Sequence, residues 1–86
     1  MKTLEELRED VNRADDAIAA ALAARFAATD EIGRVKRAGG VGVSMPSRER
    51  EIKDRIAAKL PRELVDSVWD EIFRLSRLRQ REEARP

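Results

Sequence analysis

This chain of 86 residues has no cysteine, no histidine and no tyrosine. Without cysteine it can form no disulfide, and it has neither a thiol nucleophile nor a thiolate metal ligand. Without histidine it lacks the commonest metal ligand and the commonest general base. Chemistry in this chain therefore has to rely on carboxylates, amides, hydroxyls, guanidinium groups and ammonium groups.

Aromatic residues, one-sided charge and long apolar runs are also scarce. Only three side chains are aromatic and the net charge is +1, so overall charge gives no argument for a nucleic acid or membrane partner. No apolar run reaches the length of a membrane span, and the N-terminus lacks a signal-peptide core. These features predict one small helical domain over residues 1–86, cytoplasmic, with little core of its own.

One long stretch carries an apolar seam in which the gaps alternate between three and four residues. The pattern is typical of one face of a helix that packs against other helices. One position of the seam holds Arg25, a residue type rarely buried unless an anion meets it. The remaining members are apolar or small: Leu4, Leu7, Val11, Ala14, Ile18, Ala21, Ala28, Ile32 and Val35.

The same pattern predicts a first helix that begins after Thr3, with Glu6 completing a capping box, and ends near Arg37 before two glycines. Such a helix is about 50 Å long. A compact chain of this size has a radius of gyration of about 12 Å. The helix therefore overhangs a compact monomer, and we predict that a second copy covers its seam in a homodimer.

Two shorter helices are predicted after a connecting loop at 38–46, whose glycines lack the strand and the Gly-Lys-Ser/Thr ending of a phosphate loop. Ser44 or Ser47 could cap the second helix, whose apolar stripe is Ile52, Ile56 and Leu60. Pro61 is predicted to open the third helix. The third helix has a wide apolar face and, after Ser76, a solvated charged end. The apolar face comprises Leu64, Val65, Val68, Trp69, Ile72, Phe73 and Leu75.

Polar residues at helical spacings identify a candidate site. Lys36 follows Arg25 by eleven residues, which places both on one helix face about 16 Å apart. Arg8 precedes Arg25 by about 25 Å and lies about 100° around the helix, so it cannot reach the same site within one chain. A partner's Arg8 could do so in a dimer. Further candidates are Arg48 and Glu49 in the first turn of the second helix, and Ser76 and Gln80 one turn apart on the third.

The ordered pattern Leu7-Arg8-Glu9, Asp15, Arg25, Ile32-Gly33-Arg34-Val35-Lys36, Arg48-Glu49, Ser76 and Gln80 resembles the all-helical class of chorismate mutases. The resemblance extends over nearly the whole chain. It implies an all-α, three-helix chain in an intertwined homodimer with two sites, each built from both subunits. It also implies the Claisen rearrangement of chorismate, a small dicarboxylate, to prephenate on the way to phenylalanine and tyrosine. This pericyclic reaction needs no base, nucleophile, metal or cofactor.

The resemblance also implies roles for individual residues. Arg25 and the partner's Arg8 would clamp the two substrate carboxylates, with Arg48 and Ser76 completing that side of the pocket. Lys36 and Gln80 would donate hydrogen bonds to the ether oxygen, and Glu49 would accept one from the C4 hydroxyl. Ile32, Met45, Phe73 and Arg77 would line the pocket.

Two positions depart from the family pattern and leave the substrate open. Met45 stands where many members have an acidic residue, and Arg77 replaces an apolar residue. A relative of the same scaffold rearranges 4-amino-4-deoxychorismate, whose amine could also bind Glu49. Another is an isochorismate pyruvate lyase, for which Glu49 would have no role.

Two alternatives come from other classes of protein. A non-catalytic helical dimerisation module would have no need for Arg25, Lys36 and Gln80 to converge. An RNA-binding protein would use the basic tail between Arg77 and Arg85, and its RNA affinity would fall steeply with salt.

Overall fold

Three α-helices make up the fold in the computed structural model, which describes residues 1–40 and 46–83. Helix α1 spans Leu4–Ala38, α2 spans Pro46–Ile56 and α3 spans Arg62–Glu83. No strand occurs in these two ranges, so the predicted all-α, three-helix chain is confirmed. No helix in them is long and apolar enough to cross a membrane.

Both ends of α1 follow the predicted signals. The Thr3 hydroxyl accepts a hydrogen bond from the Glu6 amide at 3.1 Å, and the Glu6 carboxylate accepts one from the Thr3 amide at 3.0 Å. This reciprocal pair is the predicted capping box. The helix ends one residue later than expected, with the Gly39 amide bonded to the Val35 carbonyl at 3.1 Å. Gly40 follows at φ 73°, a conformation that favours glycine.

The second helix differs from its prediction at both ends. Ser47 lies inside α2, so it is not the N-cap, while the alternative cap Ser44 lies outside the described residues. The helix ends at Ile56, one turn before Leu60, which is 41% exposed. The prediction that Leu60 belongs to the apolar stripe of α2 is therefore wrong, because residues 57–60 form a turn before Pro61 instead of continuing the helix.

Helix α3 lies between the other two helices and contacts both, whereas α1 and α2 do not pack on each other within the described ranges. At the start of α3, the Pro61 carbonyl accepts hydrogen bonds from the amides of Leu64 and Val65. The apolar side chains buried in the described chain are Val65, Ile72 and Phe73, all on α3. So small a core is unusual for a chain that folds alone.

The first half of α1 extends beyond this core. Its seam residues remain exposed, with Leu4, Leu7, Val11 and Ile18 each 48–64% accessible. The chain measures 56 Å along its longest axis, and its radius of gyration is 16.2 Å. A compact chain of this length would have about 12 Å. The predicted overhang of α1 is therefore confirmed.

The C-terminal half of α1 is joined to α3 by hydrogen-bonded ion pairs. Asp30 is buried and accepts two hydrogen bonds from Arg79, at 3.1 and 2.6 Å, and the Arg79 guanidinium stacks on the Phe26 ring. These hydrogen bonds hold the pKa of the Asp30 carboxyl below its ordinary value. Arg34 reaches Glu83 at 3.0 Å. The end of α3 is therefore largely exposed, as predicted, but it is helical to Glu83 and contacts α1 through Arg79, Gln80 and Glu83.

Close packing between α1 and α3 depends on Gly33, which is buried. A Cβ atom added at this position would lie 2.7 Å from Cγ and 3.1 Å from Cδ of Gln80. The Gln80 side chain cannot easily move away, because it is 5% exposed and its amide donates to the Thr29 carbonyl at 2.5 Å. The absence of a side chain at position 33 thus allows Gln80 to lie against the α1 backbone.

We expect Gly33→Ala to lower the free energy of unfolding by about 1 kcal/mol. Overpacking costs about 1–3 kcal/mol, which exceeds the roughly 1 kcal/mol that alanine gains over glycine in a helix. In a Gln80→Ala background the same substitution should instead stabilise the fold, since the clashing side chain is gone. Urea denaturation of the four proteins measures both effects. A stabilising Gly33→Ala in the otherwise native chain would contradict this packing.

Candidate active site

A cavity of about 480 Å³ opens between the three helices. Helix α1 lines it from Arg25 to Lys36, α2 from Arg48 to Ile56, and α3 from Trp69 to Gln80. On each helix the lining residues follow one another mostly at spacings of three or four, so each helix presents one face to the cavity. A volume of this size accommodates a small organic molecule.

The apolar part of the lining comes from all three helices. It consists of Ala28, Ile32, Ile52, Ile56, Trp69 and Phe73. Phe73 is 4% exposed and belongs both to the core and to the cavity wall. This wall lowers the local dielectric constant, which strengthens the electrostatic effect of any charged group beside it.

The polar part of the lining is strongly cationic. Five cationic side chains face one carboxylate, that of Glu49, among the described lining residues. The cationic residues are Arg25, Lys36, Arg48, Arg55 and Arg77. Like charges gathered at the edge of an apolar wall repel one another, so this arrangement is best stabilised by an anion that enters the cavity.

Arg25 is the cavity cation that burial and neighbouring positive charges disfavour most clearly. Its guanidinium donates to the Ser76 hydroxyl at 3.4 Å, and its central carbon lies 5.5 Å from the Phe73 ring centre. Burial lowers the pKa of Arg25, and the charges of Arg48 and Arg55 lower it further against the opposing effect of Glu49. No carboxylate of the described residues lies within 4 Å of it. A guanidinium stays protonated in proteins, so this charge remains in the cavity without an ionic partner in the described chain.

Two polar side chains of α3 are held by the helices around them. Ser76 donates to the Ile72 carbonyl at 2.9 Å, which leaves its oxygen free to accept from Arg25. The Gln80 side chain donates through Nε2 to the backbone carbonyl of Thr29. Arg37 donates to the backbone carbonyl of Gln80 at 3.1 Å. Because an amide nitrogen carries two hydrogens, Gln80 retains a second N–H for a ligand.

Glu49 and Arg77 form an ion pair that joins α2 to α3 at the cavity. The side chains are 28% and 27% exposed. Arg77 was predicted only to line the pocket; in the structure it also binds the carboxylate that was predicted to hold a substrate hydroxyl. Arg48 points differently, towards Glu51 at 3.8 Å.

The structure brings most of the predicted site residues to this one cavity. Arg8 is exposed and lies near the start of α1, away from the cavity, as the spacing predicted. Met45 lies outside the described residues. The predicted residues that line the cavity are Arg25, Ile32, Lys36, Arg48, Glu49, Phe73, Ser76, Arg77 and Gln80.

Sequence reasoning missed three prominent lining residues. Arg55 follows Arg48 by seven residues, which is two helical turns and the same face, so the spacing could have identified it. Thr29 follows Arg25 by four, and Trp69 precedes Phe73 by four. Thr29 contributes through its backbone carbonyl, which no pattern of side chains can predict.

Chemically, the cavity can bind a compact anion, orient it against an apolar wall, and donate hydrogen bonds to it from several directions. No group of three or more acidic residues suited to a metal ion occurs in the described parts of the chain. Of these donors, Arg25 is held by the Ser76 hydroxyl, Gln80 by the Thr29 carbonyl and Arg77 by the Glu49 carboxylate. Donors fixed in advance can stabilise charge that develops during a reaction.

Comparison with known proteins agrees with this geometry. The sequence model of the family described as chorismate mutase type II matches residues 7–81. A bifunctional chorismate mutase/prephenate dehydratase of Aquifex aeolicus (strain VF5) is 33% identical over 69 residues, which are 80% of this chain and 19% of the relative. The chain thus spans about a fifth of the length of that curated relative. No solved structure matches it.

We expect Arg25→Leu to leave the melting temperature unchanged or raise it by a few degrees. Removing a partly buried charge that lacks a carboxylate relieves its desolvation and its repulsion by Arg48 and Arg55. Arg79→Leu is the matched control, because it removes a guanidinium that does bind a buried carboxylate. That variant should melt roughly 5 °C lower. Thermal unfolding followed by circular dichroism compares the two, and equal destabilisation would contradict the view that Arg25 lacks an ionic partner.

Proposed function

The chain belongs to the chorismate mutase type II family, and we propose that it catalyses the rearrangement of chorismate to prephenate. The observation that carries the proposal is the charge of the cavity, where five cationic side chains of the described residues converge on an apolar wall with one carboxylate among them. Chorismate carries two carboxylates. Binding it would neutralise positive charges that Glu49, the one carboxylate among the described lining residues, cannot balance.

The proposed mechanism begins with binding in the reactive conformation. Arg25 and the partner's Arg8 bind the two carboxylates, and Arg48 and Ser76 complete that side of the pocket. The apolar wall around Phe73 supports the folded ring. Holding the two reacting ends of one molecule together removes much of the entropic barrier. No group of the protein has to accept or donate a proton.

Charge stabilisation is the second part of the mechanism. The ether oxygen becomes more negative as its bond to carbon breaks, and Lys36 and Gln80 donate hydrogen bonds to it. Such donors contribute most when they are aimed at charge that exists only in the transition state. The second N–H of Gln80 is available for this purpose, since the first is bound to Thr29.

The proposal includes a homodimer in which each site draws Arg8 from the other subunit. It is supported by the exposed seam of α1, which carries four large apolar residues on one face with nothing of the described chain over them. Covering such a face gains roughly 25 cal/mol for each Å² removed from water. A second copy offers an identical seam and brings its Arg8 towards the cavity.

A place in phenylalanine and tyrosine biosynthesis, and with it a cytoplasmic location, follows from this reaction and stays a prediction. The amine analogue, 4-amino-4-deoxychorismate, remains the second candidate substrate, because Glu49 lines the cavity and could bind an amine. An isochorismate pyruvate lyase is less favoured, since its substrate would leave Glu49 without a role. A purely structural dimerisation module does not account for converging cations.

We expect the purified chain to consume chorismate, and Arg8→Ala and Arg25→Ala each to lose at least about 99% of that activity. Mixing the two variants should restore activity, since each heterodimer contains one site with both native arginines. With random exchange, about a quarter of the wild-type rate should return. The decrease in chorismate absorbance measures the rate.

The matched control mixes Arg25→Ala with Lys36→Ala. Both residues come from the same subunit in the proposed site, so no heterodimer site is intact and no activity should return. Mass spectrometry of intact complexes establishes that subunits have exchanged. A wild-type chain inactive on chorismate would reject the function, and no recovery in the first mixture would reject the shared site.

A second prediction concerns Gln80→Glu. We expect this variant to be poor at neutral pH, because an ionised carboxylate repels both the developing charge and the Thr29 carbonyl. A protonated carboxyl can donate, so its activity relative to wild type should rise as the pH falls from about 7.5 towards 5. A glutamate ordinarily titrates near 4.3; burial raises this value and nearby cations lower it.

The rates are compared at saturating chorismate over the pH range in which circular dichroism shows both proteins folded. Gln80→Met is the control that removes the donor without adding a titrating group. The rate of Gln80→Met relative to the wild-type rate should not vary with pH. A Gln80→Glu variant with native activity at pH 7.5 would mean that Gln80 does not face the breaking bond.

A further inference from the structure

In the proposed function Glu49 binds the C4 substituent of the substrate, and in the structure this carboxylate is paired with Arg77. Only Oε2 of Glu49 bonds to Arg77, and no other described residue donates to this carboxylate. Oε1 therefore has no donor among the described residues, and Glu49 is part of the cavity lining. A carboxylate paired in this way offers a hydrogen-bond acceptor with little net negative charge.

We propose that Arg77 is the specificity-determining residue of this cavity, selecting a neutral hydroxyl over a positively charged ammonium at ring position C4. The inference rests on the proposed function and deepens it. A hydroxyl donates one hydrogen bond to Oε1 of Glu49 and leaves the ion pair undisturbed. An ammonium at the same place would have to compete with the Arg77 guanidinium for the one carboxylate of the described lining.

The cations that line the cavity with Glu49 all act in the same direction, and only part of the Arg48 charge is offset, by Glu51 at 3.8 Å. Arg77 faces it from α3, Arg48 and Arg55 lie on its own helix, and Arg25 and Lys36 belong to α1. Aliphatic amines are largely protonated at neutral pH. An ammonium would therefore enter a region of positive potential in which the one negative charge is already neutralised, whereas a hydroxyl brings no charge to be repelled.

Removing the charge of Arg77 should reverse this preference in part. In Arg77→Gln the Glu49 carboxylate loses its cationic partner and becomes free to pair with an ammonium, while a glutamine retains the polarity and much of the length of the side chain. Arg77→Lys keeps the charge. Arg74→Gln makes the same chemical change one turn earlier on α3, where the arginine is exposed and paired with Glu71 outside the cavity.

The experiment measures kcat/KM for chorismate and for 4-amino-4-deoxychorismate in the wild type and these three variants. The quantity compared is the ratio of the two values, which cancels any general loss of activity. We expect Arg77→Gln to shift the ratio towards the amine by about tenfold, the change that about 1.4 kcal/mol produces. Arg77→Lys and Arg74→Gln should stay within about threefold of the wild type.

Each other outcome overturns the inference. If the ratio of kcat/KM values is unchanged in folded Arg77→Gln, Arg77 does not discriminate between the two substrates. The proposed function would stand in that case, since activity on chorismate is still observed. Loss of both activities in that folded variant means that Arg77 serves catalysis itself. If circular dichroism shows Arg77→Gln unfolded, Arg77→Met carries the same comparison. A wild-type chain inactive on both substrates rejects the proposed function, and the inference with it.

Discussion

The constraint on which this structure depends is an excess of positive charge that its own carboxylates do not neutralise. Elsewhere in the described chain, several carboxylates pair with cations of another helix: Asp30 binds Arg79, Asp70 binds Lys53, and Glu83 binds Arg34. These pairs involve none of the cavity cations. Of those, Arg77 pairs with Glu49, and the exposed Arg48 lies 3.8 Å from Glu51. The cost is greatest at Arg25, which burial and its cationic neighbours both disfavour. A protein gains nothing in stability from such an arrangement, so we attribute it to the binding of an anion.

A second constraint is the length of α1 relative to the core. The three apolar side chains buried among the described residues, all on α3, cannot stabilise a helix of 35 residues along its whole length. The C-terminal half of α1 is held by Asp30, Gly33 and their partners on α3. The N-terminal half has a strong capping box and an apolar face, so local sequence favours its helical form. Its exposed face is what a second subunit would bury, and the proposed shared site follows from the same geometry.

Much of the fold was predictable because its signals are local. The capping box at Thr3, the glycines after Ala38 and the proline before α3 act on neighbouring residues. All three predicted helices occur, although α2 ends one turn early and is not capped by Ser47. Predictions failed where contacts distant in sequence decide the outcome. The end of α3 reads as solvated charge, yet Arg79 and Gln80 bind α1 residues some fifty positions away. The site residues gathered by spacing do line one cavity, but the pairing of Glu49 with Arg77 could not be read from either helix alone.

Helix α3 sets the shape of the site, because α1 and α2 do not pack on each other within the described residues. The distance between Arg25 on α1 and Arg48 on α2 therefore depends on how each of these helices packs against α3. On one side, Gln80 lies against Gly33 and binds the Thr29 carbonyl; on the other, Arg77 binds Glu49. Phe73 and Ser76 lie between these contacts and are buried. Substitutions on the buried face of α3 must then alter stability and cavity shape together, whereas Arg25 and Arg48 can change charge with little effect on packing.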